Sequence, residues 1–119
     1  MFSIKVESDF SSAHNLRGYK GKCEALHGHN WKVEAVVRRK SLDKTGMVMD
    51  FKLLKDRLNV ILEKLDHAYL NNIPIFKKIN PTSENIAKYI FDAMKASGVS
   101  LSSVTVWESE NSCATYHGK

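Results

Sequence analysis

His27-Gly28-His29-Asn30-Trp31-Lys32-Val33-Glu34-Ala35-Val36-Val37-Arg38 is the stretch from which the fold can be read. From Asn30 to Arg38, Trp31, Val33, Ala35 and Val37 alternate with Asn30, Lys32, Glu34 and Val36. That is the period of a strand with one buried face. Upstream, Phe2, Ile4 and Val6 alternate with Ser3, Lys5 and Glu7 and predict a first strand of the same kind. Residues 15–26 are polar and hold Gly18 and Gly21, so they read as a loop.

Downstream the period changes. Leu42 to Gly46 is turn-like, and Asp50 is placed to cap a helix. Phe51, Leu54, Leu58, Ile61, Leu62 and Leu65 then follow helical spacing to about Leu65. Asn80-Pro81-Thr82-Ser83-Glu84 starts a second helix, with Thr82 or Ser83 as cap, an apolar stripe of Ile86, Ile90, Ala93 and Met94, and Gly98 as stop. Leu101–Trp107 predicts a third strand and Ala114–Tyr116 a short fourth. The order ββααββ indicates an α+β fold, a four-stranded antiparallel sheet with two helices on one face. The other face is then either solvated or covered by another chain.

A chain of 119 residues is expected to form one domain over residues 1–119. It carries 18 Lys and Arg against 13 Asp and Glu, a net charge of +5, which favours anionic partners. These charges are dispersed, Arg38-Arg39-Lys40 being the longest basic cluster, so a phosphorylated small molecule is favoured over nucleic acid. No apolar run approaches the roughly 20 residues that span a bilayer, and the N-terminus lacks the layout of a signal peptide. A cytoplasmic protein with no membrane partner is expected. Its two cysteines, Cys23 and Cys113, are too few for a disulfide framework.

On a strand, His27 and His29 point to one face. His14 follows the first strand, within reach of the same point. Three imidazoles without a thiolate make a zinc site of the catalytic kind, with one position open. Spacing alone equally allows a polar turn. It also leaves Cys23 three readings: a fourth ligand, an inert thiol, or a thiolate of lowered pKa acting as base. Asp66-His67 reads either as a carboxylate–imidazole pair or as a solvated helix end. Glu108, after the apolar Val104–Trp107, is suited to bidentate recognition of a guanidine-like edge but is also an ordinary surface residue. His117 and Cys113 carry no signal.

Together these motifs are more specific than any one of them. Phe10-Ser11-Ser12-Ala13-His14, Cys23-Glu24-Ala25-Leu26-His27-Gly28-His29, Leu65-Asp66-His67, Pro81-Thr82-Ser83-Glu84-Asn85 and Val106-Trp107-Glu108 resemble, in order and spacing, the 6-pyruvoyltetrahydropterin synthase family. The resemblance implies the tunnelling fold (T-fold), with sheets joined into a barrel in a homo-oligomer, commonly a hexamer built as a dimer of trimers. It implies zinc held by His14, His27 and His29, Cys23 as general base, and Asp66 and His67 as a proton-relaying pair. It implies Glu108 as anchor of a pterin ring flanked by Thr82 and Ser83. Ser83 departs from the threonine of the animal enzymes, and Ser109 stands where threonine is common. The short Cys-x3-His-Gly-His spacing looks like the bacterial branch of queuosine (7-deazaguanine) biosynthesis. The expected activity is therefore that of a 6-carboxytetrahydropterin synthase, a lyase acting on 7,8-dihydroneopterin triphosphate. Pyruvoyl formation and folate-linked side-chain cleavage on the same scaffold are the alternatives.

Overall fold

Two long strands form the frame: β1 (Phe2–His14) and β2 (His27–Arg39), each of 13 residues. The computed structural model describes residues 1–18 and 25–118. The strands pair antiparallel along their whole length, from Phe2 opposite Arg39 to His14 opposite His27. β2 therefore begins three residues before the apolar alternation does. The two histidines lie within its ladder.

α1 (Phe51–Glu63) follows, capped by Asp50, whose side chain accepts from the amide of Lys52. Then come β3 (Ala68–Tyr69), a single 3-10 turn (Leu70–Asn72), α2 (Pro74–Lys78), α3 (Ser83–Ala96), β4 (Ser103–Trp107) and β5 (Cys113–His117). Thr82 caps α3 by accepting from the amide of Asn85, and Gly98 takes the left-handed φ of +99° that lets the chain leave the helix.

The sheet order is β3-β1-β2-β4-β5. β2, β4 and β5 continue the antiparallel pairing, whereas β3 lies parallel to β1, with Ser12 opposite Ala68 and Ala13 opposite Tyr69. The sheet thus has five strands and is mixed, where the sequence predicts four antiparallel ones. A short third helix, α2, is also present. Both additions are too short to show a period: β3 has two residues and α2 has five. Pro74 sits in the first turn of α2, where its missing N–H is not needed.

Alternation sorts the two faces. Val6 and Phe10, Trp31, Val33, Ala35 and Val37, and Val104 and Val106 are buried. They meet Leu54, Leu58 and Ile61 of α1 and Ile86, Ile90 and Met94 of α3 in one core. The opposite face is polar, with Lys32 3.5 Å from Glu7 and 3.8 Å from Glu34, and the Trp107 indole N–H donating to Glu34. Two edges are open. From Phe2 to Ser11, β1 has no described strand on its outer side, and β5 ends the sheet. No helix among the described residues is long and apolar enough to cross a membrane.

Candidate metal centre

The hydrophobic face does not end where the apolar residues do. His14 shares the parity of Val6 and Phe10, and His27 and His29 share that of Trp31 and Val33. Glu108 continues the face of Val104 and Val106. Four polar side chains are therefore carried to one point at one end of the core face. One nitrogen from each histidine and one oxygen of Glu108 all lie within 4.8 Å of one another.

Trp31 is the floor of this cluster. It is fully buried, stacks on Phe10, and meets the rings of His14 and His29 edge-on at centroid distances of 4.9 and 5.1 Å. Its indole N–H donates to the Ser12 carbonyl.

Backbone carbonyls set the tautomers. His14 Nδ1 lies 2.8 Å from the Pro81 carbonyl and His27 Nδ1 2.8 Å from the Ala25 carbonyl. A carbonyl only accepts, so both Nδ1 atoms carry the proton, and in neutral rings both Nε2 atoms are bare. These two Nε2 atoms face each other at 3.0 Å. Burial pushes the pKa of His14 below the usual imidazole range, reinforced by His27 and partly offset by the Pro81 carbonyl and Glu108. Burial likewise lowers that of His29. The neutral forms of His14 and His29 are thus favoured, and the bare Nε2 of His14 faces the Nε2 of His27.

His29 Nε2 adds a third unmet demand. It is buried without a hydrogen-bond partner, although Glu108 Oε1 lies 2.9 Å away, out of line for a hydrogen bond. Glu108 Oε1 is 3.5 Å from His14 Nε2 and 3.9 Å from His27 Nε2. A tetrahedral zinc site with bonds of about 2.0–2.1 Å spaces its donors by roughly 3.3–3.4 Å. The observed separations bracket that value. Two inward lone pairs, a third ring nitrogen without a hydrogen-bond partner and a carboxylate form a donor set that suits a divalent cation.

Asp66 and His67 pair with each other, Oδ2 to Nδ1 at 3.0 Å, but do not join the cluster within one chain. His67 is 84% exposed and takes a left-handed φ of +51°, a conformation unfavourable by about 1–3 kcal/mol for a non-glycine residue. The turn is tied to β1. Asp66 Oδ1 accepts from the Ser11 amide, and the His67 amide donates to the Ser11 carbonyl. The Ser11 hydrogen bond, aided by His67, holds the Asp66 carboxyl below the usual aspartate range against a smaller effect of burial. A lowered carboxyl pKa contributes stability that is present above the unfolded value and lost as pH falls through the folded one. The stability difference between the protein and Asp66→Asn, measured by urea unfolding, is therefore expected to shrink below about pH 4. A difference that widens on acidification contradicts this.

The Thr82 hydroxyl is engaged as the α3 cap and Ser83 is buried beside it. Cys23 lies outside the described residues. Cys113 is exposed at the start of β5. Sequence reasoning missed Trp31 as the floor and the Pro81 and Ala25 carbonyls as ring partners. Trp31 looks like any core residue, and a carbonyl has no side-chain signature.

The chain is similar to known proteins over nearly its whole length. The sequence profile of the family described as 6-pyruvoyl tetrahydropterin synthase matches residues 3–119. A 6-carboxy-5,6,7,8-tetrahydropterin synthase of Synechocystis sp. is 41% identical over 122 residues, which cover 98% of this chain and 93% of that protein. A 6-pyruvoyl tetrahydrobiopterin synthase of Homo sapiens is 37% identical over 125 residues, covering 98% and 85%. Among solved structures, the 6-pyruvoyl tetrahydropterin synthase of Caenorhabditis elegans superposes with a TM-score of 0.87 at 30% identity, covering 99% of this chain and 96% of that one.

Proposed function

The chain belongs to the 6-pyruvoyl tetrahydropterin synthase family, and from that membership we propose that it is a 6-carboxy-5,6,7,8-tetrahydropterin synthase. It is read as a lyase that converts 7,8-dihydroneopterin triphosphate to 6-carboxytetrahydropterin, acetaldehyde and triphosphate, as a step of queuosine biosynthesis. The observation that carries the metal-dependent chemistry is the convergence of one nitrogen from each of three histidines on one point, with His29 Nε2 buried and unpartnered.

His14, His27 and His29 would hold the ion, which we take to be zinc. Bound zinc would supply Lewis acidity, polarising the hydroxyls of the substrate side chain. The Pro81 and Ala25 carbonyls keep two of these imidazoles in the Nδ1–H tautomer, so that Nε2 faces inward. Glu108 is 32% exposed at the rim and reaches the same point. In this reading its carboxylate accepts hydrogen bonds from the amino and N–H edge of the pterin. With all four groups bound to the ion, no position would be left for substrate. Glu108→Ala should therefore raise the substrate dissociation constant by at least about tenfold, the loss of a charge-assisted hydrogen bond, while zinc content stays at that of the parent. Lost zinc would instead make Glu108 a ligand.

Cys23 is assigned the base on one side of the substrate chain, and Asp66 with His67 the proton relay on the other. Thr82 and Ser83 would line the ring. Cys23→Ala should keep zinc and lose turnover. The open edges along β1 and at β5 support a homo-oligomer in which neighbouring sheets join, here proposed as a dimer of trimers.

The test is a product assay. Purified protein receives 7,8-dihydroneopterin triphosphate with and without chelator, and products are followed by mass spectrometry. Acetaldehyde and a 6-carboxy pterin that vanish with chelator support the reading. The human relative favours one alternative, pyruvoyl formation, which would release triphosphate without acetaldehyde. No turnover by zinc-loaded, folded protein would overturn both.

A further inference from the structure

We propose that Asn71 and Asn80 are positioning residues of the metal centre, holding the backbone that follows His14 and so aiming its imidazole. The inference rests on the reading of His14 as a metal ligand.

β1 ends its ladder at His14, where His14 faces His27 and Ala13 faces Tyr69. In an extended chain both backbone groups of one residue point to the same edge, and alternate residues share that edge. Beyond the ladder, Asn15 would present an unpaired N–H and C=O along the edge that Ser11 and Ala13 present to residues 66–69, and Arg17, in the turn that follows, would present another pair. No strand takes them up. Two side-chain amides do. Asn71 Oδ1 accepts from the Asn15 amide at 3.0 Å and Asn71 Nδ2 donates to the Asn15 carbonyl at 2.9 Å. Asn80 Oδ1 accepts from the Arg17 amide at 2.9 Å and Asn80 Nδ2 donates to the Arg17 carbonyl at 2.8 Å. Each carboxamide offers the acceptor and donor of a peptide unit; that of Asn71 replaces one rung of a missing strand, and that of Asn80 pins the turn after it.

The clamps are themselves held. Asn71 is 6% exposed. The Asn80 carbonyl accepts from Asn85 Nδ2 in the first turn of α3. Arg17 closes the arrangement from the other side, its guanidinium donating to the carbonyls of Phe76 and Ile79 at the end of α2. Asn80 also directly precedes Pro81, whose carbonyl holds His14 Nδ1. His14 is thus fixed at its ring by Pro81, one residue on by Asn71, and three residues on by Asn80. The segment that carries both asparagines forms a jig for one ligand. Partners that orient a ligand typically contribute 10–100-fold to metal affinity.

The test compares Asn80→Ala and Asn71→Ala with Asn59→Ala. Asn59 bonds Ser8 at the middle of β1, far along the strand from the centre, and serves as a control for general loosening. Zinc affinity is measured by competition with a chromophoric chelator, and ligand-field spectra are recorded after cobalt substitution. The two clamp variants are expected to raise the zinc dissociation constant about 10–100-fold and to shift the cobalt bands. Asn59→Ala is expected to leave both unchanged despite a lowered melting temperature. Asn80 is only half-buried, so its variant keeps the test available if Asn71→Ala fails to fold. Clamp variants that melt earlier but keep the parent affinity and spectrum overturn the inference. Parent protein that binds no zinc overturns the metal reading itself, a separate result.

Discussion

His29→Ala is expected to leave a folded protein that no longer retains zinc and has lost nearly all turnover. Three imidazoles converge on one point, and removal of one leaves a pair, buried His14 and half-buried His27, whose tautomers are already fixed by Pro81 and Ala25. Glu108 sits 3.5 and 3.9 Å from the two that remain, and two imidazoles with one carboxylate are expected to hold the ion more weakly than three imidazoles. Turnover should fall by at least the ~10²–10³-fold that follows loss of one transition-state electrostatic stabiliser. The change removes an unpartnered buried nitrogen, so the metal-free protein should lose little stability. Metal content by mass spectrometry and turnover, read on the same sample, check the result. Stoichiometric zinc in the variant would mean that His29 is not a ligand.

Trp31→Ala is expected to have the largest effect on stability. The side chain is fully buried, stacks on Phe10 at 5.8 Å between centroids, and supports two histidine rings. Truncating a buried tryptophan to alanine costs about 3–5 kcal/mol, against a total of about 5–15 kcal/mol for a typical domain. The variant should unfold at much lower urea, and any folded fraction should bind zinc weakly because the platform under His14 and His29 is gone. Trp31→Phe keeps the stack and most of the volume and should recover the greater part of both. A loss below about 1 kcal/mol, as for a surface change, would remove Trp31 from this role.

The long elements were legible because they carry a period. Alternation from Trp31 to Val37 reports β2, and the spacing of Leu54, Leu58 and Ile61 reports α1. Asp50 caps α1 as expected, and of the two candidates Thr82 and Ser83 it is Thr82 that caps α3. The parallel β3 and the five-residue α2 escaped because neither spans two periods. The strand parity of His27 and His29 pointed to a shared target, and the structure brings His14 to it. Glu108 was legible as a strand-end carboxylate, but its approach to the histidines depends on the β2–β4 pairing, which no local pattern records. Asn71 gave no sequence signal, and Asn80 was legible only as part of the α3 start, since an asparagine in an irregular segment reads as a turn former. Their partners are backbone groups, which every residue possesses.

The pairing of His14 with His27 sets a limit on how this site can change over generations. Side chains alternate between faces, so β1 and β2 act as a reading frame for the cluster. Substitutions along the hairpin can accumulate one at a time. Loss or gain of a single residue between Val6 and Ala13 would rotate His14 to the polar face, or else turn the core side chains before it outward. Only even steps, or a compensating bulge, keep both in phase. Descendants of this chain should therefore vary freely in spelling within these strands and almost never in length.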